Sequence, residues 1–277
     1  MFVDLHLHSL KSDGIYSPKE VVKDAHSSGI KTISLTDHDT YSGLAEAAEM
    51  AAKLGMNFYG GIEFTVHETE NSYEHILGYG IKDFTSIDEY LNKLKQERIN
   101  LVNQYIDILQ ANGFENISFD AVSKLSTGDH VTVKNLVRWI DRNCNITTSK
   151  RAYSLFFGTN GKYNIPEPCH CYDEIIPLIR NAGGIAVLAH PFRYHPEFYD
   201  DIDAFEKHMT SLVNLGLNGI EAYYGTHSKK ETQLCIKMAI KYNLIVTGGS
   251  DTHGWDDEVP MGVSIPSKHF NKFTNLI

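Results

Sequence analysis

With 277 residues, 42% hydrophobic and 22% charged, the chain can bury one large α/β core with an insertion or two ordinary cores, and its composition excludes disorder. A formal charge of −10 excludes a broad basic face for coating nucleic acid, although a local positive pocket built on bound cations survives it. No run is long and apolar enough for a membrane span, and Met1 leads into a strand pattern instead of a signal peptide, so a cytoplasmic location is expected.

The first predicted element is an extended run ending in Asp4-Leu5-His6-Leu7-His8. Side chains at i and i+2 of a strand share a face, so His6 and His8 can converge on one point, with Asp13 a few residues beyond. Imidazole and carboxylate together suit zinc, manganese or iron, although this segment alone fits two inert strand histidines equally well. Ser17-Pro18-Lys19-Glu20 then reads as a capping box with proline at the first helical position, and Gly29 closes that helix. The apolar run at 32–35 enters Thr36-Asp37-His38-Asp39-Thr40. A helix rich in alanine and glutamate follows from Gly43 to Leu54, and the run at 57–62 delivers Glu63. His75 stands just ahead of Ile76-Leu77-Gly78-Tyr79.

From about Thr85 the character changes to helices, at Ser86–Ala111, Phe119–Leu125, Val133–Arg142 and Lys150–Phe157, with no apolar run that ends in a ligand-type residue. Residues 85–167 are therefore read as a helical insertion forming a lid over the mouth of a barrel made by 1–84 and 168–277. Alternation resumes at Tyr172 with a helix to Ala182-Gly183-Gly184 and the run 185–189 ending in His190-Pro191. A helix to about Leu215, the strand Gly219–Tyr223 with His227 beyond it, and a helix to Tyr242 come next. The last strand, 244–249, ends in Ser250-Asp251-Thr252-His253. Ligand-type residues recurring at strand carboxyl ends suit the mouth of a closed β/α barrel. Cys169-His170-Cys171 lacks both the C-x-x-C spacing and the second pair of a thiolate metal clip, so reduced cysteines are expected.

Taken together, His6-Leu7-His8, Asp13, Thr36-Asp37-His38-Asp39, Glu63, His75, Ala189-His190-Pro191 and Ser250-Asp251-Thr252-His253 resemble the polymerase and histidinol phosphatase (PHP) family, all four of whose motifs occur in order. The resemblance implies an α/β fold, a distorted seven-stranded (β/α) barrel holding two or three divalent metal ions. It is similar above all to the branch acting on nucleoside 3′,5′-bisphosphates and RNA 5′ ends, which carries a helical insertion. Carried over, His6, His8, Glu63 and Asp251 hold the first metal, and Asp13, His38 and His253 the second. Glu63 bridges to a third completed by His75 and His190. This donor mixture favours manganese, iron or zinc over magnesium. The chain departs from the branch at Val131-Thr132-Val133-Lys134, where an Arg-Pro-His triplet is usual, and at Phe192-Arg193, where a Gly-Arg pair is usual.

The expected activity is hydrolysis of a phosphate ester of a nucleotide or short oligoribonucleotide. Paired metals lower the pKa of a water from about 15.7 towards roughly 7, so the expected nucleophile is a metal-bridging hydroxide. Asp13 and His38 are then catalytic through the second metal, and His190 or His227 is the candidate acid. Arg193, Lys134, Lys162 and His227 are candidate phosphate contacts, and Tyr194, Tyr223 or Tyr224 can stack on a base. Asp37 and Asp39 are expected to fix His38 by hydrogen bonds. His26, His67, His130, His195, His208 and His269 receive no role. The competing readings are a small-molecule phosphatase of histidinol phosphate type and an idle barrel used as a binding module.

Overall fold

The computed structural model describes all residues except 68–72, 145–148, 159, 166, 167, 169 and 256–258, with the backbone alone at 149 and 150. The chain divides into two compact units. One comprises Met1–Glu68, Ser72–Ile87 and His170–Ile277, the other Thr69–Asn71 and Asp88–Cys169.

In the first unit β1 (Phe2–Val3) precedes α1 (Pro18–Ser27), which starts on the Ser17/Glu20 capping box. Its buried Val21, Val22 and Ala25 pack with Ile33 and Leu35 of β2 (Thr32–Leu35) and with Ala47 and Ala51 of α2 (Leu44–Lys53). Each of these valine, isoleucine and leucine side chains taken fully from water contributes about 1.5–3 kcal/mol, and each alanine less. Next come β3 (Asn57–His67) and β4 (Tyr73–Tyr79). The second unit holds most of α3 (Thr85–Ala111), with α4 (Phe119–Ser123), α5 (Val133–Asn143) and α6 (Ser149–Phe156). Its own core gathers Val102, Tyr105, Leu109, Leu136 and Ile140. The first unit resumes with α7 (Tyr172–Asn181), β5 (Ile185–Leu188), a 3-10 turn at Pro196–Tyr199, α8 (Ile202–Leu215) and β6 (Gly219–Tyr224). It ends with α9 (Lys229–Lys241), β7 (Ile245–Gly249), β8 (Val263–Ser264) and α10 (Ser267–Thr274).

The main sheet is curled, mixed and six-stranded, in the order β2-β3-β4-β5-β6-β7, and β1 pairs with β8 in a separate two-stranded piece. Among the described residues the main sheet thus holds six strands where seven were expected, and not all are parallel: β4 runs antiparallel to both β3 and β5. Too few residues separate His67 from Tyr73 for the crossover that a parallel partner needs, which agrees with the antiparallel pairing of β3 and β4. Residues 4–8 lie between the two edges of the sheet. The amide of Asp4 donates to Thr32 and the amide of Thr36 to Leu7, while Leu5 donates to Gly248 and Asp251 to His6, at 2.9–3.1 Å. Gly249 is obligatory there, because a Cβ would stand 2.4 Å from the His6 side chain and 2.5 Å from its backbone nitrogen. The carboxyl-terminal β8 and α10 were not expected. Phe270 and Phe273 of α10 pack with Leu77, Tyr79 and Ile245 beneath the sheet. No helix among the described residues is long and apolar enough to cross a membrane.

Candidate metal centre

Residues from separate strand ends of the first unit meet around one carboxylate. Glu63 is fully buried on β3. Its Oε2 lies 3.1 Å from His6 Nε2, 3.0 Å from His8 Nε2 and 3.2 Å from His38 Nδ1. Its Oε1 faces His75 Nδ1 at 2.8 Å and His190 Nε2 at 3.0 Å, and those two nitrogens are 3.3 Å apart. Asp251 Oδ1 completes the first group, 3.0 Å from His8 Nε2 and 3.5 Å from His6 Nε2. Asp13 Oδ1 gathers His253 Nε2 at 3.3 Å, His38 Nε2 at 3.8 Å and His8 Nδ1 at 3.9 Å.

These contacts form three compact donor groups: His6, His8, Glu63 and Asp251; His8, Asp13, His38 and His253; and His38, Glu63 and His75. His8 and His38 thus stand near more than one group, a sharing that the sequence did not suggest.

The donor chemistry fits divalent cations. His6 Nε2, both ring nitrogens of His8, His38 Nδ1, Glu63 Oε2 and Asp251 Oδ1 are buried and make no hydrogen bond. They converge at about 3 Å, which suits ligands sharing an ion. The electrostatics agree. Burial alone would push the His8 imidazole down, but Asp251 and Glu63 raise it to about 10. Burial would likewise lower His6, and Glu63, Glu221 and Asp251 hold it well above its ordinary value. Burial would raise the Glu63 carboxyl, and the surrounding imidazoles keep it well below the carboxylate range. His38 goes the other way, pushed down to about 3 by burial. The pocket thus demands positive charge at the shared points.

The backbone is shaped for the task. Among the described residues the non-glycine positions at positive φ are Asp39, His190, Asn243 and Asp251, three of them in the ligand-bearing motifs. Each costs of order 1–3 kcal/mol and persists only where its surroundings over-determine it.

Several supporting groups were missed or misplaced from sequence. Glu221, fully buried on β6, accepts from His6 Nδ1 through Oε1 at 3.1 Å and from the amide of His190 through Oε2 at 3.0 Å. It leaves His6 Nε2 as the lone-pair nitrogen aimed at Glu63 and ties down the strained His190 backbone. A lone acid inside the apolar run Gly219–Tyr224 was the available signal. Asp4 likewise accepts from the amide and hydroxyl of Ser250 at 2.9 and 2.6 Å. The carboxylate of Asp37 accepts from the amide and hydroxyl of Ser9 and from the hydroxyl of Ser12, each at 2.7 Å, so it braces the loop leading to Asp13 instead of fixing His38. Asp39 accepts from the amide and hydroxyl of Thr65 at 3.0 and 2.8 Å.

Arg193 joins the rim. Its Nη1 donates to Asp251 Oδ2 and, at 3.0 Å, to the Tyr224 hydroxyl, which itself donates to Asp251 Oδ2 at 3.0 Å. The Tyr194 ring lies 5.3 Å from His75 and 5.6 Å from His190. Tyr224 is thus engaged with Asp251, and the Tyr223 hydroxyl is 3.2 Å from His269 Nδ1. His227 Nδ1 is 3.2 Å from the carbonyl of Ala222, and burial lowers its pKa. Lys134 and Lys162 belong to the second unit and are exposed there, Lys162 over the Tyr163 ring. Cys169 lies outside the described residues, while Cys171 is in no disulfide and its Sγ donates to the carbonyl of His67 at 3.6 Å.

Known proteins resemble the chain along most of its length. The family model for the PHP domain matches residues 4–153. A phosphoribosyl 1,2-cyclic phosphate 1,2-diphosphodiesterase from Eggerthella lenta is 29% identical, the match covering 96% of this chain and 100% of that one. A 3′,5′-nucleoside bisphosphate phosphatase from Chromobacterium violaceum is 27% identical over 91% of this chain and 87% of its own. A 5′-3′ exoribonuclease from Escherichia coli is 30% identical over 90% and 84%. Among solved structures, an amidohydrolase from Chromobacterium violaceum with bound sulfate superposes with a TM-score of 0.77 at 27% identity, over 95% of this chain and 92% of that one.

Proposed function

The chain belongs to the PHP domain family and is a metal-dependent phosphoesterase; within that class, we propose that it removes a phosphate from a nucleoside 3′,5′-bisphosphate and also trims short RNA from its 5′ end. The observation that carries this reading is the Glu63 carboxylate, with one oxygen turned to His6, His8 and His38 and the other to His75 and His190. One buried group shared in this way fits a cluster of two or three ions better than a single one.

We assign His6, His8, Glu63 and Asp251 to the first ion, Asp13, His38 and His253 to the second, and Glu63, His75 and His190 to a third. Manganese, iron or zinc fits these donors best. When bound, the ions neutralise charge on the phosphoryl oxygens and bring the pKa of a water down towards roughly 7. The protein's own groups do the rest. Glu221 fixes the tautomer of His6, and the Asp4, Asp37 and Asp39 carboxylates lock the loops that carry the other donors. Arg193, at the edge of Asp251, offers a planar donor pair to a phosphoryl oxygen. His227, with Nδ1 turned to a carbonyl, Nε2 buried without a hydrogen-bond partner and its pKa lowered by burial, is the candidate acid and acts as one only after taking up a proton.

Two parts of the architecture enter as proposals. Residues 4–8 are read as the seventh stave of a distorted barrel, a reading supported by their hydrogen bonds to both edge strands. Residues 85–167 are read as a specificity lid bearing Lys134 and Lys162. A cytoplasmic location fits such substrates.

The test is release of inorganic phosphate from adenosine 3′,5′-bisphosphate by manganese-, iron- or zinc-loaded protein. Turnover is expected, faster than on histidinol phosphate. No release with any of the three metals would overturn the substrate assignment. A phosphorylated ribose 1,2-cyclic phosphate belongs in the same assay, because the relative named for that chemistry matches 96% of this chain.

A further inference from the structure

A second carboxylate–histidine cluster stands apart from the donor groups described above. Glu74, nearly fully buried on β4, has its Oε1 2.5 Å from His195 Nε2 and its Oε2 3.0 Å from His208 Nε2 on α8. His195 Nδ1 meets Glu197 at 2.8 Å. The two imidazoles address opposite oxygens of Glu74 at hydrogen-bond distance, so every ring nitrogen facing a carboxylate has its own acceptor and the donors do not converge on one point. The surroundings are aromatic: the Phe198 ring stacks on His195 at 4.8 Å and lies 5.3 Å from His208, and Tyr172 flanks His208 at 5.7 Å.

The placement along the strand gives this cluster a consequence. Glu74 and His75 are neighbours on β4 and point to opposite faces. His75 faces the metal centre and touches the Tyr194 ring, while Glu74 grips the very next residue, His195. Two consecutive strand residues thus hold two consecutive loop residues, and Arg193 lies immediately before them.

We propose that Glu74, His195 and His208 form a clip that positions Arg193 and Tyr194 at the rim for the phosphate of the substrate. They are positioning residues, acting through Arg193, and this rests on the phosphoesterase reading above. A shift of the 191–199 segment by a fraction of a hydrogen-bond length would move the guanidinium out of its place beside Asp251 and Tyr224.

The experiment compares manganese-loaded full-length protein with Glu74→Gln, which keeps the shape and removes the charge. Three readouts are taken: metal content, hydrogen exchange of the peptide spanning 191–199, and the Kd for inorganic phosphate. The expected result is unchanged metal content, faster exchange confined to that peptide, and phosphate binding weakened by about three- to tenfold, the worth of one hydrogen bond. In an Arg193→Gln background the same change should weaken phosphate no further. Unaltered exchange, or additive losses in the double variant, would overturn the proposal. If Glu74→Gln does not fold, His195→Gln repeats the test with the Glu74–His208 pair left in place. Phosphate binding without turnover of the bisphosphate would remove the substrate assignment and leave the clip standing. No phosphate binding by the unmodified chain would remove the positioning role.

Discussion

Two buried glutamates on adjacent strands, Glu63 on β3 and Glu74 on β4, are both ringed by histidines, yet they meet the cost of burial differently. Each oxygen of Glu74 has one imidazole at hydrogen-bond distance, and burial, which would raise its carboxyl, is overcome by His195 and His208, which hold it at about 2. Protons suffice there. Glu63 faces five imidazole nitrogens, and its Oε2, with the His6, His8 and His38 nitrogens opposite, makes no hydrogen bond. Buried polar atoms left without a hydrogen bond cost about 1–3 kcal/mol each, and several crowd round that one oxygen, so that arrangement calls for cations. The same residue types yield a clip in one place and an ion cage in the other, and the number of nitrogens sharing each oxygen tells them apart.

The comparison breaks most visibly at Glu63. Glu63→Gln should strip bound metal and cut phosphate release by at least about 10³-fold, of order 4 kcal/mol of transition-state stabilisation. Elemental analysis after dialysis and the assay of released phosphate check both. Glu74→Gln should leave metal content unchanged.

Glu221 comes next. Glu221→Ala frees His6 Nδ1 and the amide of His190, and metal affinity is expected to fall by about 10–100-fold. Competition with a chromophoric chelator measures it, and the ligand-field spectrum of the cobalt-substituted protein should change with it.

Gly249→Ala sharpens the geometric side. A Cβ placed 2.4 Å from the His6 side chain must push that segment aside, at about 1–3 kcal/mol or more. A lowered Tm together with weaker metal binding is the expected pair of results.

The smallest effect belongs to the clip. The hydrogen bond to Glu74 raises the His195 imidazole to about 9 despite its partial burial. A raised folded-state pKa means that the protonated form stabilises the fold. That contribution is fully present below about 6.5, the unfolded value, and is lost as the pH rises through about 9. Glu74 on β4, Glu197 on the 3-10 turn and His208 on α8 are the titratable groups facing it. Exchange protection of 191–199 should therefore fall between pH 6.5 and 9.5, and Glu74→Gln should flatten that dependence.

The same contrast explains what the sequence revealed. His6 and His8 were legible because i and i+2 in an extended run share a face, Glu63 and His190 because each directly follows an apolar run, and Asp251 because it lies one residue beyond such a run. The βα alternation and the helices from Thr85 to Phe156 were legible from their periodicity and stop signals. Glu221 and Glu74 were not, since an acid within an apolar strand shows its burial only once its partners are in place, and those partners lie 215 and 134 residues away in the chain. His195 and His208 gained a role for the same reason. The antiparallel β4 hides behind a short connection, and α10 behind its charged, polar sequence, with Phe270 and Phe273 as its apolar signal.

In the arrangement proposed above, the Glu63 carboxylate is shared between cations. Anomalous scattering from crystals grown in manganese, recorded above and below the manganese edge, tests it most directly. Peaks on both sides of that carboxylate are expected, one within reach of His6, His8 and Asp251 and another by His75 and His190. A pocket without anomalous density at saturating manganese, or density only at a site remote from Glu63, would contradict it.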